Sequence, residues 1–259
     1  MGQNFLVERE VVQRIVEAAG IGPDDRVVEI GPGLGILTQE LLTTGCQLVA
    51  VEMDDELAVH LDSTLGTHLQ FTLIHGDALQ VPIDSLVPGD TPYLMVANLP
   101  YSVGTGIIRR FLESPHPPTA MTVMLQQEVA ERLVATPPHM SLLSIAAQIY
   151  ADGRLEFIVP PDAFIPAPEI TSAVITLESH EPSVPAAELD RFFAIVSAGF
   201  RQKRKTVANS LSEVLGLDKQ ETTRWLASAG VDPGRRAQTL SIDEWRALLA
   251  FAPIGVGPT

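Results

Sequence analysis

Along the first 180 residues of this 259-residue chain the spacing of apolar positions keeps changing. Val7, Val11, Ile15 and Ala19 recur at every fourth position, which predicts an amphipathic helix before the turn "GIGPDD". "RVVEIG" (26 to 31) is then a continuous apolar run too short for a helix, and it reads as a buried strand. The alternation continues with helix 35 to 44, strand "QLVAVE" (47 to 52), helix 54 to 65 and strand "FTLIHG" (71 to 76). After a loop come strand "YLMVAN" (93 to 98), a helix from about 104 to 113, strand "AMTVMLQ" (120 to 126) and a helix from 127. Strands alternating with helices in this way imply an α/β fold, a doubly wound, mostly parallel sheet covered on both faces. "RLEFIVP" and "SAVITLE" (172 to 178) predict two more strands able to close one edge. Beyond "SHEPSVPAAE", rich in Ser and Pro, the pattern is helical through residue 251. That shift predicts two domains, 1–180 and a smaller all-helical 181–259.

Composition narrows the function classes. Hydrophobic residues make up 46% of the chain, enough for a sizeable core. No apolar run is long enough to cross a bilayer, and "MGQNFLVERE" lacks the basic and apolar regions of a secretion signal, so a cytoplasmic protein is expected. Cys46 is the single cysteine and cannot form an intramolecular disulfide, while the six histidines show no metal-ligand spacing. Neither a metal nor a redox couple is expected.

A formal charge of −15 argues against a polyanionic partner. Its distribution argues differently. Residues 1–180 hold 23 acids and 7 arginines, whereas 181–259 hold 9 acids and 10 bases, among them all three lysines. There "FRQKRKTVANS" gathers Arg201, Lys203, Arg204 and Lys205, with no acid between Arg191 and Glu213. So short a basic run is ordinarily a solvated helix face. On so acidic a chain it is also the natural phosphate contact.

The first domain carries a constellation of strand-end polar residues. In "VVEIGPGLGILT" a strand bearing Glu29 runs into Gly31, Gly33 and Gly35 just before a helix, and glycines there let the backbone turn sharply and approach a ligand. Glu52 ends the next strand, where a carboxylate can accept both hydroxyls of a ribose. Asp77 follows the third strand, although a lone acid before "ALQ" also suits a helix cap. In an open parallel sheet ligands bind beyond the carboxyl ends of the strands, so Glu29, Glu52, Asp77 and Asn98 are expected to line one crevice. Acids repel a pyrophosphate and suit a neutral adenosine with a cationic tail, and S-adenosyl-L-methionine is such a ligand.

"NLPYSVGTGI" (98 to 107) follows the fourth of these strands. Pro100 lacks an N–H and biases Leu99 towards an extended conformation, which frees the Leu99 carbonyl to face the crevice beside the Asn98 side-chain oxygen. Two fixed acceptors can take both hydrogens of an exocyclic amine, and Tyr101 can stack on the ring that bears it. Drawing an adenine N6 towards tetrahedral geometry localises its lone pair and aims it at a sulfonium methyl, so positioning and electrostatics carry the catalysis. An isolated N-x-P-Y would be an ordinary strand-ending turn.

"GQNFL", "VVEIGPGLG", "VANLPY", "MLQQEVAERL", "FIPAPEITSAV" and "FRQKRKTVANSL", in this order, make the chain resemble the ribosomal RNA adenine N6,N6-dimethyltransferases over essentially its whole length. The resemblance implies a class I methyltransferase (Rossmann-like) fold and an S-adenosyl-L-methionine-dependent enzyme. It further implies small-subunit rRNA, in an immature small ribosomal subunit, as the substrate; no membrane and no obligatory protein partner are expected. It also implies cofactor contacts from Asn4, Leu6, Gly31, Glu52, Asp77 and Asn98, to which the glycine-loop reading adds Glu29 and Gly33. Phe164, in the proline-rich "PPDAFIPAP", is implied to stack on the target adenine opposite Tyr101, since a base receiving chemistry on its edge must leave its own stack.

Three departures bear on RNA contact. The family's basic segment ahead of "GQNFL" is not seen, Met140-Ser141 stands where relatives read Tyr-Gly, and Thr171 replaces an acid before "SAV". Rival readings are a large-subunit rRNA dimethylase, a non-catalytic assembly or transcription factor on the same fold, and a nicotinamide-dependent oxidoreductase.

Overall fold

In the computed structural model, which describes residues 4–257, the chain opens on a short strand, β1 (Phe5–Leu6), and helix α1 (Arg9–Ala19). β2 (Arg26–Ile30), α2 (Ile36–Thr43), β3 (Gln47–Glu52), α3 (Asp55–Leu65) and β4 (Phe71–His75) follow, then the single turn α4 (Ile83–Leu86), β5 (Leu94–Asn98), α5 (Gly104–Leu112) and β6 (Ala120–Gln126). Next come α6 (Gln127–Leu133), α7 (Leu142–Gln148), β7 (Ala151–Val159), the short β8 (Phe164–Ile165) and β9 (Ser172–Ser179). α8 (Leu189–Phe200), α9 (Val207–Leu215), α10 (Lys219–Ser228) and α11 (Ile242–Ala250) complete the chain.

Seven strands form one sheet in the order β4-β3-β2-β5-β6-β9-β7. The first five are parallel, and β9 runs antiparallel between β6 and β7. The fold is therefore α/β, as the strand–helix alternation predicts, and Rossmann-like, as the family resemblance implies. The central strands are covered on both faces, with Val28, Val96 and Val123 buried, which explains their unbroken apolar runs. From β2 the chain works outward through β3 and β4, then returns to the other side of β2 as β5. Strand order thus reverses between β2 and β5, and an open α/β sheet forms its ligand crevice at the carboxyl ends of such a pair.

Local signals place the helices. Asp54 caps α3 by accepting from the Glu56 and Leu57 amides, and Gly20 ends α1 in the left-handed conformation at φ +62°. The pair β1–β8 was not legible as strands. It forms a separate two-stranded antiparallel sheet with Phe5 opposite Ile165 and Leu6 opposite Phe164.

Two units pack separately. The first is Met1–Glu131 with Ala151–His180, and the second is Arg132–Tyr150 with Glu181–Thr259. The boundary read near residue 180 therefore needs a correction, because 132–150 belongs with the C-terminal helices and not with domain 1–180. Its backbone bonds explain why. The Met140 N–H donates to the Gln238 carbonyl at 2.9 Å and the Ser183 N–H to that of Ile149 at 2.8 Å, while α7, capped by Ser141, packs on α8. In the second unit Trp245 is fully buried and stacks on Phe200 at 5.7 Å. A Cβ on Gly199 would lie 2.4 Å from the Trp245 ring, so that helix contact requires glycine.

Candidate active site

The loop between β2 and α2 meets the end of β3 through one carboxylate. Gly31 and Gly33 sit at φ +66° and +58°, where a side chain would be strained. Glu52, 6% exposed, accepts the Gly33 amide on Oε2 at 3.1 Å and the Met53 and Asp54 amides on Oε1 at 2.9 Å each. A carboxylate offers two acceptor positions per oxygen, so Oε1 is saturated and Oε2 retains one. The Gly33 bond ties the end of β3 to the glycine-rich loop, while the two Oε1 bonds order the residues that follow β3. A Cβ on Gly31 would lie 4.0 Å from the Asn98 carbonyl oxygen, so the ends of β2 and β5 stand close at the switch point.

Glu29 does not line the crevice as expected. It lies within β2, one residue before the strand's end, and is 1% exposed because β3 and β5 flank it. Burial pushes its pKa up to about 8; the Thr38 hydroxyl of α2 opposes the shift and the Glu52 charge adds to it. Neither Glu29 Oε2 nor Thr38 Oγ1 completes a hydrogen bond among the described residues.

Asp77 closes its own turn, accepting from the Leu79 amide at 2.8 Å and the Gln80 side chain at 2.9 Å. Arg110 of α5 holds the same turn from behind, through the carbonyls of Ala78 at 2.6 Å and Val81 at 2.5 Å. Among the described residues neither Glu52 nor Asp77 forms an ion pair with Lys or Arg. Their charge therefore stays available to a cationic ligand, and a pyrophosphate would meet it unshielded.

Asn98 ends β5 half-buried, and its side chain makes no hydrogen bond among the described residues. The Leu99 amide donates to the Met124 carbonyl at 3.1 Å, carrying the extended run one residue past the strand, and its own carbonyl accepts no hydrogen bond among the described residues. From Pro100 the chain turns into α5, with the Pro100 carbonyl accepting the Val103 and Gly104 amides. Neither the Asn98 side chain nor the Leu99 carbonyl is committed to a partner among the described residues, and Leu99 itself is 1% exposed. Tyr101 is half-buried, and its hydroxyl lies 2.7 Å from that of Ser172 at the start of β9.

Phe164 departs from its expected place. Proline-rich flanks predict a stiff loop that presents the ring, but Phe164 is 4% exposed in the hydrophobic core beside Leu6, while its neighbour Ile165 is 64% exposed. Strand alternation is the cause, since pairing of β8 with β1 turns one residue in and the next out. Phe164 instead fastens the N-terminal strand, whose Phe5 ring would contact a Cβ on Gly33 at 3.5 Å. Gly2 and Gln3 of "GQNFL" lie outside the described residues.

In the second unit Arg201, Lys203, Arg204 and Lys205 are exposed, on the turn between α8 and α9 and not on a helix face. Lys205 pairs with Glu213 at 2.5 Å, and that pairing holds the Glu213 carboxyl below its ordinary range. Arg201, Lys203 and Arg204 form no ion pair among the described residues.

Sequence reasoning missed Ser172, Thr38 and Arg110. Ser172 lay inside a quoted motif, but its partner is 71 positions away.

The doubly wound, mostly parallel sheet is the fold of the Rossmann-like methyltransferases. The sequence profile of the family described as ribosomal RNA adenine dimethylase matches residues 1–252. Ribosomal RNA small subunit methyltransferase A of Desulfitobacterium hafniense is 44% identical over 251 residues, covering 96% of this chain and 89% of its own. The protein of that name from Dehalococcoides mccartyi is 41% identical over 250 residues, covering 96% and 86%. Among solved structures, the 23S rRNA methyltransferase ErmE aligns with a TM-score of 0.77 at 27% identity, covering 96% of this chain and 99% of its own. The chain belongs to the ribosomal RNA adenine dimethylase family and is a methyltransferase, as its six ordered motifs imply.

Proposed function

We propose that this protein transfers methyl groups from S-adenosyl-L-methionine to N6 of two adjacent adenines in a hairpin loop near the 3′ end of small-subunit (16S) rRNA, giving N6,N6-dimethyladenosines as the subunit matures. The carrying observation is the pair of uncommitted acceptors, the Asn98 side chain and the Leu99 carbonyl, at the strand end nearest the glycine-rich loop. S-adenosyl-L-methionine supplies an electrophilic methyl on a sulfonium cation. Asn4, Leu6, Gly31, Gly33, Glu52 and Asp77 are the residues that would hold it. Glu52 offers Oε2 to a ribose hydroxyl, and the unneutralised acids favour the cation.

Asn98 and Leu99 accept the two N6 hydrogens and draw the amine towards tetrahedral geometry, which raises its nucleophilicity without a strong base. Tyr101 supplies the aromatic face for the extruded adenine, worth ~1–3 kcal/mol by base-on-aromatic stacking. Glu29 shapes the crevice from beneath, and Phe164 holds the N-terminal strand. Arg201, Lys203 and Arg204 serve as phosphate contacts, with Lys205 shared with Glu213. Greater identity to small-subunit enzymes than to ErmE favours small-subunit rRNA over the large-subunit alternative. No helix of the described residues is long and apolar enough to cross a membrane.

Mass mapping of rRNA from small subunits that lack the modification, incubated with the protein and S-adenosyl-L-methionine, tests this. Two adjacent dimethyladenosines are expected. Asn98→Ala should lower turnover by about a hundredfold or more while RNA binding persists. Methylation elsewhere, or full turnover in that variant, would overturn the proposal.

A further inference from the structure

We infer that Ser172 is a positioning residue for methyl transfer: its hydroxyl tethers the Tyr101 hydroxyl and so sets the plane on which the target adenine stacks. This rests on the functional reading above and adds to it a residue that does not touch the reacting atoms.

Stacking demands a ring held in one orientation. A tyrosine on a strand-to-helix loop has a broad ring torsion, and a half-buried ring leaves one flank free to swing. A tether at the far end of the ring removes that freedom, and the 2.7 Å contact with Ser172 Oγ is such a tether. Its other end is rigid. Ser172 is 0% exposed and begins β9, where it pairs with Gln126 of β6 on one side and Val159 of β7 on the other. One residue earlier, the Thr171 carbonyl accepts the Gln127 amide at 3.0 Å, which fixes the backbone entering the strand.

The polar residue is also anomalous in its setting. Ser172 leads a strand whose next residues, Ala173, Val174 and Ile175, are fully buried and apolar. A buried hydroxyl costs stability unless it is hydrogen-bonded, and Tyr101 is its one side-chain partner among the described residues. The pair therefore bolts the catalytic loop after β5 to the strand that follows the proline-rich segment. Ordering the ring before RNA arrives spares that cost at the moment of stacking.

The test uses the full chain, with Ser172→Ala, Tyr101→Phe and the double variant, on an RNA hairpin and on a copy bearing 2-aminopurine at the target position. Each single variant removes one oxygen and keeps the surrounding shape. Each should lower kcat about fivefold, with KM for RNA and cofactor affinity near wild type, and each should weaken the stacking-induced quench of 2-aminopurine. The double variant should be no worse than either single one, because both delete the same bond. Additive losses, or a wild-type quench and kcat in either single variant, would overturn the inference. Loss of melting temperature in Ser172→Ala, with Tyr101→Phe fully active, would overturn it too by reducing Ser172 to a structural part. A wild-type protein that methylates no rRNA would overturn the functional reading first, before any variant is compared.

Discussion

The Gly33 amide donates to Glu52 Oε2 at 3.1 Å, so the carboxylate ending β3 clamps the loop that follows β2. One acid thus orders the backbone at the carboxyl ends of two neighbouring strands.

Glu52→Gln is expected to weaken S-adenosyl-L-methionine binding by ~1.5–3 kcal/mol, the range for a hydrogen bond to a charged group. The amide nitrogen cannot accept from Gly33 or from a hydroxyl, so loop order and ligand contact suffer together. Isothermal titration calorimetry measures this directly. An affinity within twofold of wild type would remove Glu52 from the site.

Glu29 links stability to pH. Its native pKa, pushed up to about 8 from an ordinary value of 4.5, means that between these pH values the folded protein keeps a proton the unfolded chain has released. Stability is therefore greatest below that window and falls as pH rises through it. Glu29→Gln keeps the shape without the titration, and at alkaline pH should be the more stable protein by up to ~5 kcal/mol. Denaturant melts at pH 5 and pH 9 decide the matter; parallel pH dependence in the two proteins would contradict the buried, raised carboxyl.

Replacing Arg201, Lys203 and Arg204 with Ala should weaken RNA binding and reduce the slope of log affinity against log salt by roughly two to three. Glu213→Gln should act oppositely, because it releases Lys205 and removes a nearby negative charge. Filter binding across a salt series reads both effects. An unchanged slope in the triple variant would move the docking surface elsewhere.

Gly199→Ala should destabilise the second unit by ~1–3 kcal/mol, since its Cβ would fall 2.4 Å from the rigid Trp245 ring. Calorimetry should show the loss, and Trp245→Phe in the same background should recover part of it by opening the space. A melting temperature equal to wild type would mean that α8 and α11 slide apart at little cost.

What the sequence determined by itself is local. Strand–helix alternation from "RVVEIG" to "AMTVMLQ" announced the parallel sheet, because side-chain periodicity is set by which faces each element buries. The extended backbone at Leu99 was likewise legible, since the following Pro100 restricts it over a few residues. Tertiary structure decided what depends on distant neighbours. Phe164 became core because Leu6 pairs with it from far up the chain. Glu29 became a buried, raised carboxyl because β3, β5 and Thr38 surround it, and 132–150 joined the C-terminal helices through bonds to Gln238 and Ser183. Burial and the loss of solvation are properties of the packed whole, and no window of consecutive residues carries them.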